Sequence, residues 1–184
     1  MNRQLVALFI MGMASSAVTM AACPSGLDSY TPDSDFVDNG NGTVTHTKTG
    51  LMWRQCPYKT NLTDGECVAE TDSDGRYATW SKALEIADGL DFAGHTDWRL
   101  PNITELSSIV EWRCYNNAIN DTMFPATQDF TSGDLFWSST TLRSSASQAR
   151  LIDFRVGTES GVSKNSNKQF FVVRDAEISE ETTP

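Results

Sequence analysis

The stretch that decides the fold is GHTDWRLPNITEL, residues 94–106. It crowds His95, Asp97, Trp98 and Arg99 against a helix start, and two readings compete for it. In the first, His95 and Asp97 are a metal pair or an acid/base set. Zinc in a protein normally takes three or four ligands, spacing suggests no third here, and His46 lies on a separate hairpin. No nucleophile motif surrounds either histidine, so a hydrolase using His46 or His95 is the weakest reading. The second reading explains more residues. Gly94 turns the chain, Trp98 and Leu100 enter the core, and Pro101 stops a strand. Asn102 then caps a helix, with Glu105 three residues on as its capping-box partner.

The pattern on either side agrees. Following Asn102, the residues Ile103, Leu106, Val110 and Cys114 form one stripe at helical spacing, so a helix is expected to run on toward Cys114. Upstream, TWSKALEIADGL places Trp80, Ala83, Leu84, Ala87 and Leu90 on one face behind a candidate cap, Thr79, and predicts a first helix. Before that, FVDNGNGTVTHTKTGLMWRQC reads as short strands joined by Asn-Gly and Lys-Thr-Gly turns, with Trp53 on an apolar strand. Its Asx-rich turn lacks the spaced carboxylates and closing Glu of an EF-hand. Downstream, LFWSST, ARLIDFRV and QFFVVRD read as three strands. Strands, two helices, then strands make a single α+β domain.

The chain opens on one basic residue, Arg3, and an apolar run from Leu5 to Met20 that ends in small residues. This is a secretory signal peptide over residues 1–22, cleaved after Ala21 or Ala22. No later segment is apolar enough to span a bilayer. Lipidation of Cys23 is the weaker alternative, because MAAC is a poor lipobox. The mature chain then comprises a lead-in over residues 23–37, a domain over 38–175 and an acidic tail over 176–184. Export permits disulfides, and four cysteines allow three pairings. A local Cys56–Cys67 bridge across a polar loop is the cheapest, which leaves Cys23–Cys114. Loop-closure entropy values them at about 3 and over 4 kcal/mol.

The net charge of −10 is uneven. Residues 28–97 hold 13 acidic against 5 basic side chains, and residues 143–174 hold 6 basic against 2 acidic. Solvated faces account for both runs, and the basic third alone suits an anionic partner.

The series DNGNGTVTHTKTGLMWRQC, TWSKALEIA, FAGHTDWRLPNITELSSIVEWRCYNNAIN, MFP, FWSST, ARLIDFRVG and VVRD, in that order, resembles the C-terminal domain of the Legionella collagen-like adhesin. The match runs from about Asp38 to Asp175, with Trp98, Arg99, Leu100, Pro101 and Asn102 as the hallmark run. The resemblance implies a C-type-lectin-like fold, distantly akin to formylglycine-generating enzymes, in an exported module. The naming adhesin uses this domain to bind sulfated glycosaminoglycans and to assemble as a trimer. Family cysteines at matching positions support the pairing above. This chain departs from the family in lacking a collagen-like repeat, in its acidic balance and in carrying Val172 in the last strand. It also lacks the Glu-Pro-Asn and Trp-Asn-Asp triplets of calcium-dependent lectins and a reactive cysteine pair.

The leading expectation is a non-enzymatic lectin-like module that recognises a glycan or other surface polymer, with no catalytic residue, metal, cofactor or nucleic-acid partner. Its face is expected on the 115–134 loop, including Asn120 and Asp134, with Trp137, Arg143 and Arg155 at nearby strand ends. There aromatics stack on sugar rings and arginines pair with sulfate or carboxylate. Against this, Trp137 also suits a core position, and Arg155 the wet face of a strand. The alternative is an assembly subunit of an envelope complex or surface appendage that binds protein partners through its oppositely charged halves.

Overall fold

The structure is a computed structural model that describes residues 23–24, 26–70, 75–115, 117–125 and 135–177. The expected signal peptide, Asp134 and the last seven residues lie outside the described residues. The elements run in the order β1 (Phe36–Asp38), β2 (Thr43–His46), β3 (Leu51–Arg54), β4 (Thr60–Thr63), β5 (Glu66–Ala69), α1 (Trp80–Asp88), α2 (Ile103–Ser107), β6 (Leu135–Thr141), β7 (Gln148–Asp153), β8 (Thr158–Ser163) and β9 (Val173–Asp175). Two helices and antiparallel strand pairs make a single α+β domain closed by two disulfides.

A four-stranded sheet has the order β1-β2-β3-β9, so the last strand returns to the first hairpins. The β1–β2 turn is built by side chains. Asp38 Oδ1 accepts from Gly40 N at 2.9 Å, and Asn41 Oδ1 accepts from Thr43 Oγ1 at 2.7 Å. Strands β6-β7-β8 form a separate meander. The polar segment between Cys56 and Cys67, expected as a loop, is instead the β4–β5 hairpin. Asp64 and Gly65 both take positive φ, the combination a two-residue type I′ turn demands.

Two hydrophobic clusters fill the domain, and consecutive residues feed opposite ones. Phe136 and Ile152 enter the cluster around Trp53, Phe124 and Phe171, while their neighbours Trp137 and Leu151 enter the cluster around Trp98, Ala83 and Ala87. Phe170, Phe171, Val172 and Val173 alternate in the same way, and all four are fully buried. A strand covered on both faces needs a continuous apolar run, which explains FFVV. Only Val173 onward is regular strand; Arg54 N and Tyr58 N bind the carbonyls of Val172 and Phe170 to complete the seam.

The 94–106 stretch is the junction of these parts. Ala93 and Gly94 at positive φ turn the chain so that Phe92 and His95 exchange both backbone bonds at 3.0 Å. Trp98 is buried and donates Nε1–H to Phe92 O at 3.1 Å. Arg99 exchanges two backbone bonds with Val173, grips Glu105 with two bonds of 2.7 and 2.9 Å and reaches Asp175 at 3.0 Å. The carbonyl of Pro101 accepts from Ser139 N at 2.8 Å. Asn102 and Glu105 complete a reciprocal capping box that starts α2. Asp97 pairs with the buried Arg174 at 2.7 Å, and this bond holds the carboxyl below its ordinary pKa.

Helix α2 is shorter than the apolar stripe predicts. Ser107 and Ser108 turn their hydroxyls back onto the carbonyls of Ile103 and Glu105, a competition that weakens helix propagation. The chain leaves the helix there, and Val110 forms a β-bridge with Ile119. At the first helix Thr79 occupies the cap position, but its side chain makes no capping bond.

Candidate functional site

The structure scatters the residues expected at a binding face. Trp137 is fully buried and its Nε1 donates to Ala78 O at 2.9 Å. It offers no ring face to a sugar, which corrects the stacking role considered for it. Asn120 is also buried, donating from Nδ2 to Thr31 O and Asp33 Oδ1, both at 2.7 Å. Both of its N–H groups thereby fasten the lead-in. Arg155 sits in the β7–β8 turn, not on a strand face, and grips Asp153 at 2.5 Å. Arg143 is exposed in the β6–β7 connection. Asp134 and residues 126–133 of the expected loop lie outside the described residues.

Most cations of the basic C-terminal third have partners within the chain. Arg150 pairs with Glu159, Arg155 with Asp153 and Arg174 with Asp97, while Lys164 lies 3.9 Å over the Trp80 ring and donates to Thr141 Oγ1. Four of the six cations in this stretch are engaged in contacts within the chain, which lowers the charge they offer to a polyanion.

A different surface gathers where the lead-in crosses the segment after α2. Glu111 is buried and accepts from Ser29 Oγ, Tyr30 N, Thr31 N, Thr31 Oγ1 and Arg113 N. A carboxylate taken out of water needs such a set of donors, and here all but Arg113 N come from the lead-in. Arg113 Nη1 donates to Leu27 O at 2.9 Å, and Cys23–Cys114 ties the same two segments covalently.

On this base stand three of the four exposed aromatics among the described residues, Tyr77 being the fourth. Trp112 is 54% exposed, Tyr115 47% and Tyr30 68%, with Leu27 and Val156 also exposed. Trp112 is seated against the β7–β8 turn: a Cβ placed on Gly157 meets Trp112 Cε3 at 3.5 Å and Val110 Cγ1 at 2.9 Å. Gly157, at φ +74°, is thus the residue that lets turn and ring approach. Three touching segments therefore carry the exposed apolar residues, an arrangement that marks interaction sites on monomeric proteins. The sequence reading passed over Trp112 because it placed the residue on a continuing helix. The available signal was the pair Ser107-Ser108, which ends the helix and changes what Trp112 faces.

The histidines have structural places. His46 is buried, stacked on Phe36 at 4.5 Å, and burial lowers its pKa below the ordinary 6.5 despite the nearby Asp35. His95 lies edge-on to Trp98. Among the described residues no group of three His, Cys, Asp or Glu side chains is placed to hold a metal ion.

These pKa directions fix a pH response. Burial raises the Glu111 carboxyl, but hydrogen bonds from Ser29 and the backbone of Arg113, Thr31 and Tyr30 outweigh it and set the pKa below the ordinary 4.5. Both His46 and Glu111 titrate lower in the folded state than in the unfolded one. Their stabilisation is complete above the unfolded values and lost as pH falls through the folded ones. Urea midpoints are expected to decline in two stages, one beginning near pH 6.5 and one below pH 4.5. In Glu111→Gln the lower stage shrinks, and a midpoint equally pH-dependent in both proteins contradicts this assignment.

No helix among the described residues is long and apolar enough to cross a membrane. Comparison with characterised proteins returns no matching relative. Residues 42–174, from the β1–β2 turn through the junction built by Trp98 to Asn102 and on into the last strand, match the Lcl C-terminal domain, and the chain belongs to that family.

Proposed function

We propose that this protein is an exported, non-catalytic adhesion module that holds a surface glycan or related polymer on the aromatic face of Trp112, Tyr115 and Tyr30. The observation that carries the reading is Trp112, a large ring half in solvent on a base fixed by a buried carboxylate and a disulfide. A rigid exposed aromatic is suited to a sugar ring, since stacking loses little side-chain entropy. Family membership supports an adhesin-type role. The expected C-type-lectin-like ancestry is part of this reading.

Export rests on the signal peptide over residues 1–22, and the two disulfides fit an oxidising compartment. The sulfur of Cys23 is bonded to Cys114, which supports a soluble amino terminus over a thioether-linked lipid. The domain boundaries at 38 and 175 belong to the same proposal.

The test is a broad glycan array, including sulfated polymers, probed at physiological salt with oxidised protein starting at Cys23. Saturable binding is expected, falling about tenfold or more in Trp112→Ala and little in Arg143→Ala, consistent with a hot-spot aromatic worth 2 kcal/mol or so. Silence across the array overturns the glycan reading in favour of protein partners, and equal binding by Trp112→Ala moves the site elsewhere.

A further inference from the structure

A second feature shares no lining residue with the aromatic surface. A groove of about 330 Å³ opens between the β1–β2 turn, the β4–β5 hairpin and Phe92. This is at the small end of the range for small-molecule sites, roughly 300–1,000 Å³. Its walls mix apolar and polar groups: Phe92 and Leu62 on one hand, Asn41, Asn61 and Arg54 on the other.

The polar groups are polarised by their internal bonds. Asn41 Oδ1 is committed to Thr43, accepting from N at 3.2 Å and Oγ1 at 2.7 Å. Asn61 Oδ1 accepts from Arg54 Nη2 at 3.2 Å. With both oxygens held by donors, each amide keeps its N–H₂ end uncommitted among the described residues. Arg54 is buried and stacks its guanidinium 4.7 Å from the Phe92 ring centre. Nη1 donates to Pro57 O at 2.9 Å, and Nη2 to Thr60 O at 2.6 Å and to Asn61. Three of its five N–H groups are used, and with the two amide N–H₂ ends the side chains of the lining hold more donors than acceptors to spare.

Shape and charge narrow the ligand. Gly42 at φ +81° borders the groove, where a Cβ meets Phe92 Cζ at 3.2 Å, so the missing side chain keeps turn and ring close. All of the lining residues fall within the acidic stretch, 13 acidic against 5 basic between residues 28 and 97. A polyanion approaching it is repelled, whereas a neutral ligand is not. A neutral group that sets a strong acceptor beside a small apolar surface matches the walls, and an N-acetyl group has that chemistry.

We propose that this groove binds a neutral N-acetylated pyranose unit, its acetyl carbonyl accepting from Asn41, Asn61 and Arg54 and its methyl resting on Leu62 and Phe92. The Cys56–Cys67 bridge, with Cys56 in the lining, fixes the hairpin wall in place. The site is independent of the aromatic surface, and each can fail without the other.

The experiment is calorimetric titration of the oxidised protein with triacetylchitotriose, with the deacetylated trimer and a glucuronate oligomer as comparisons. The acetylated trimer is expected to bind at least tenfold more tightly than either. The double variant Asn41→Asp, Asn61→Asp keeps the oxygens that Thr43 and Arg54 require but removes the outward donors. It is expected to lose at least tenfold in affinity with its thermal midpoint within a few degrees of the parent. Equal affinity for acetylated and deacetylated trimers, absence of binding at millimolar concentration, or undiminished binding by the double variant overturns the proposal. Should the double variant unfold, the acetylated-to-deacetylated ratio in the parent decides alone.

Discussion

Trp98→Ala is expected to destabilise the oxidised domain by about 3–5 kcal/mol, the range for removing a large aromatic from a packed core. Trp98 is 1% exposed, and its ring packs near Phe92 and His95 at centroid distances of 6.1 and 6.4 Å. The substitution also removes one of two hydrogen bonds to the Phe92 carbonyl, which keeps the bond from His95 N. Denaturant unfolding measures the loss directly. The neighbouring Arg99 and Asp97 pairs are half in solvent, where an ion pair contributes about 0–1 kcal/mol, so Arg99→Ala is expected to cost clearly less. A Trp98→Ala loss below about 1 kcal/mol contradicts the role assigned to this residue.

The second large effect concerns the long disulfide. Replacing Cys23 and Cys114 together by alanine is expected to lower stability by about 4 kcal/mol, because the bridge closes a loop of 91 residues. Removing Cys56–Cys67, separated by 11 residues, is expected to cost about 3 kcal/mol. The long bridge has a further consequence. It anchors Leu27 and Tyr30 beside Trp112, so its loss is expected to weaken array binding along with stability, whereas loss of the short bridge leaves the aromatic surface in place. Paired melting and binding measurements on the two alanine pairs separate these outcomes. A short-bridge variant that alone loses array binding contradicts the placement of the site.

Much of the fold was legible because it rests on local chemistry. The Asn-Gly turns, the Asn102–Glu105 capping box and the alternation in ARLIDFRV each declare their geometry within a few residues. The structural reading of residues 94–106 is also largely local, through the turn at Gly94 and the cap at Asn102. The disulfide pairing rested on the short Cys56–Cys67 loop as the cheapest bridge, which left Cys23 for Cys114, and the family resemblance supported it.

The candidate site was less legible because exposure is decided at long range. Trp137 and Trp112 look alike in sequence, each beside polar residues. Trp137 is buried because β6 is covered on both faces, a fact that depends on FFVV arriving from 33 and more residues downstream. Trp112 is exposed because two serines end α2 and because Gly157, from a distant turn, meets only one edge of its ring. Asn120 reads as a loop amide until the lead-in crosses it and occupies both of its N–H groups. Likewise, the groove at Asn41 and Asn61 exists only once two hairpins and Phe92 converge.

The chain has five tryptophans, of which Trp53, Trp98 and Trp137 are fully buried and Trp80 is partly buried with its Nε1 bonded to Ser138 O. Intrinsic fluorescence therefore reports a surface ligand chiefly through Trp112. The most direct test of the central claim is a fluorescence titration with the strongest glycan from the array. A saturable blue shift is expected in the parent protein and is lost in Trp112→Phe, whose melting temperature matches the parent. Binding of the same glycan with no spectral shift, and with undiminished affinity in Trp112→Phe, contradicts the assignment of this aromatic face as the adhesive surface.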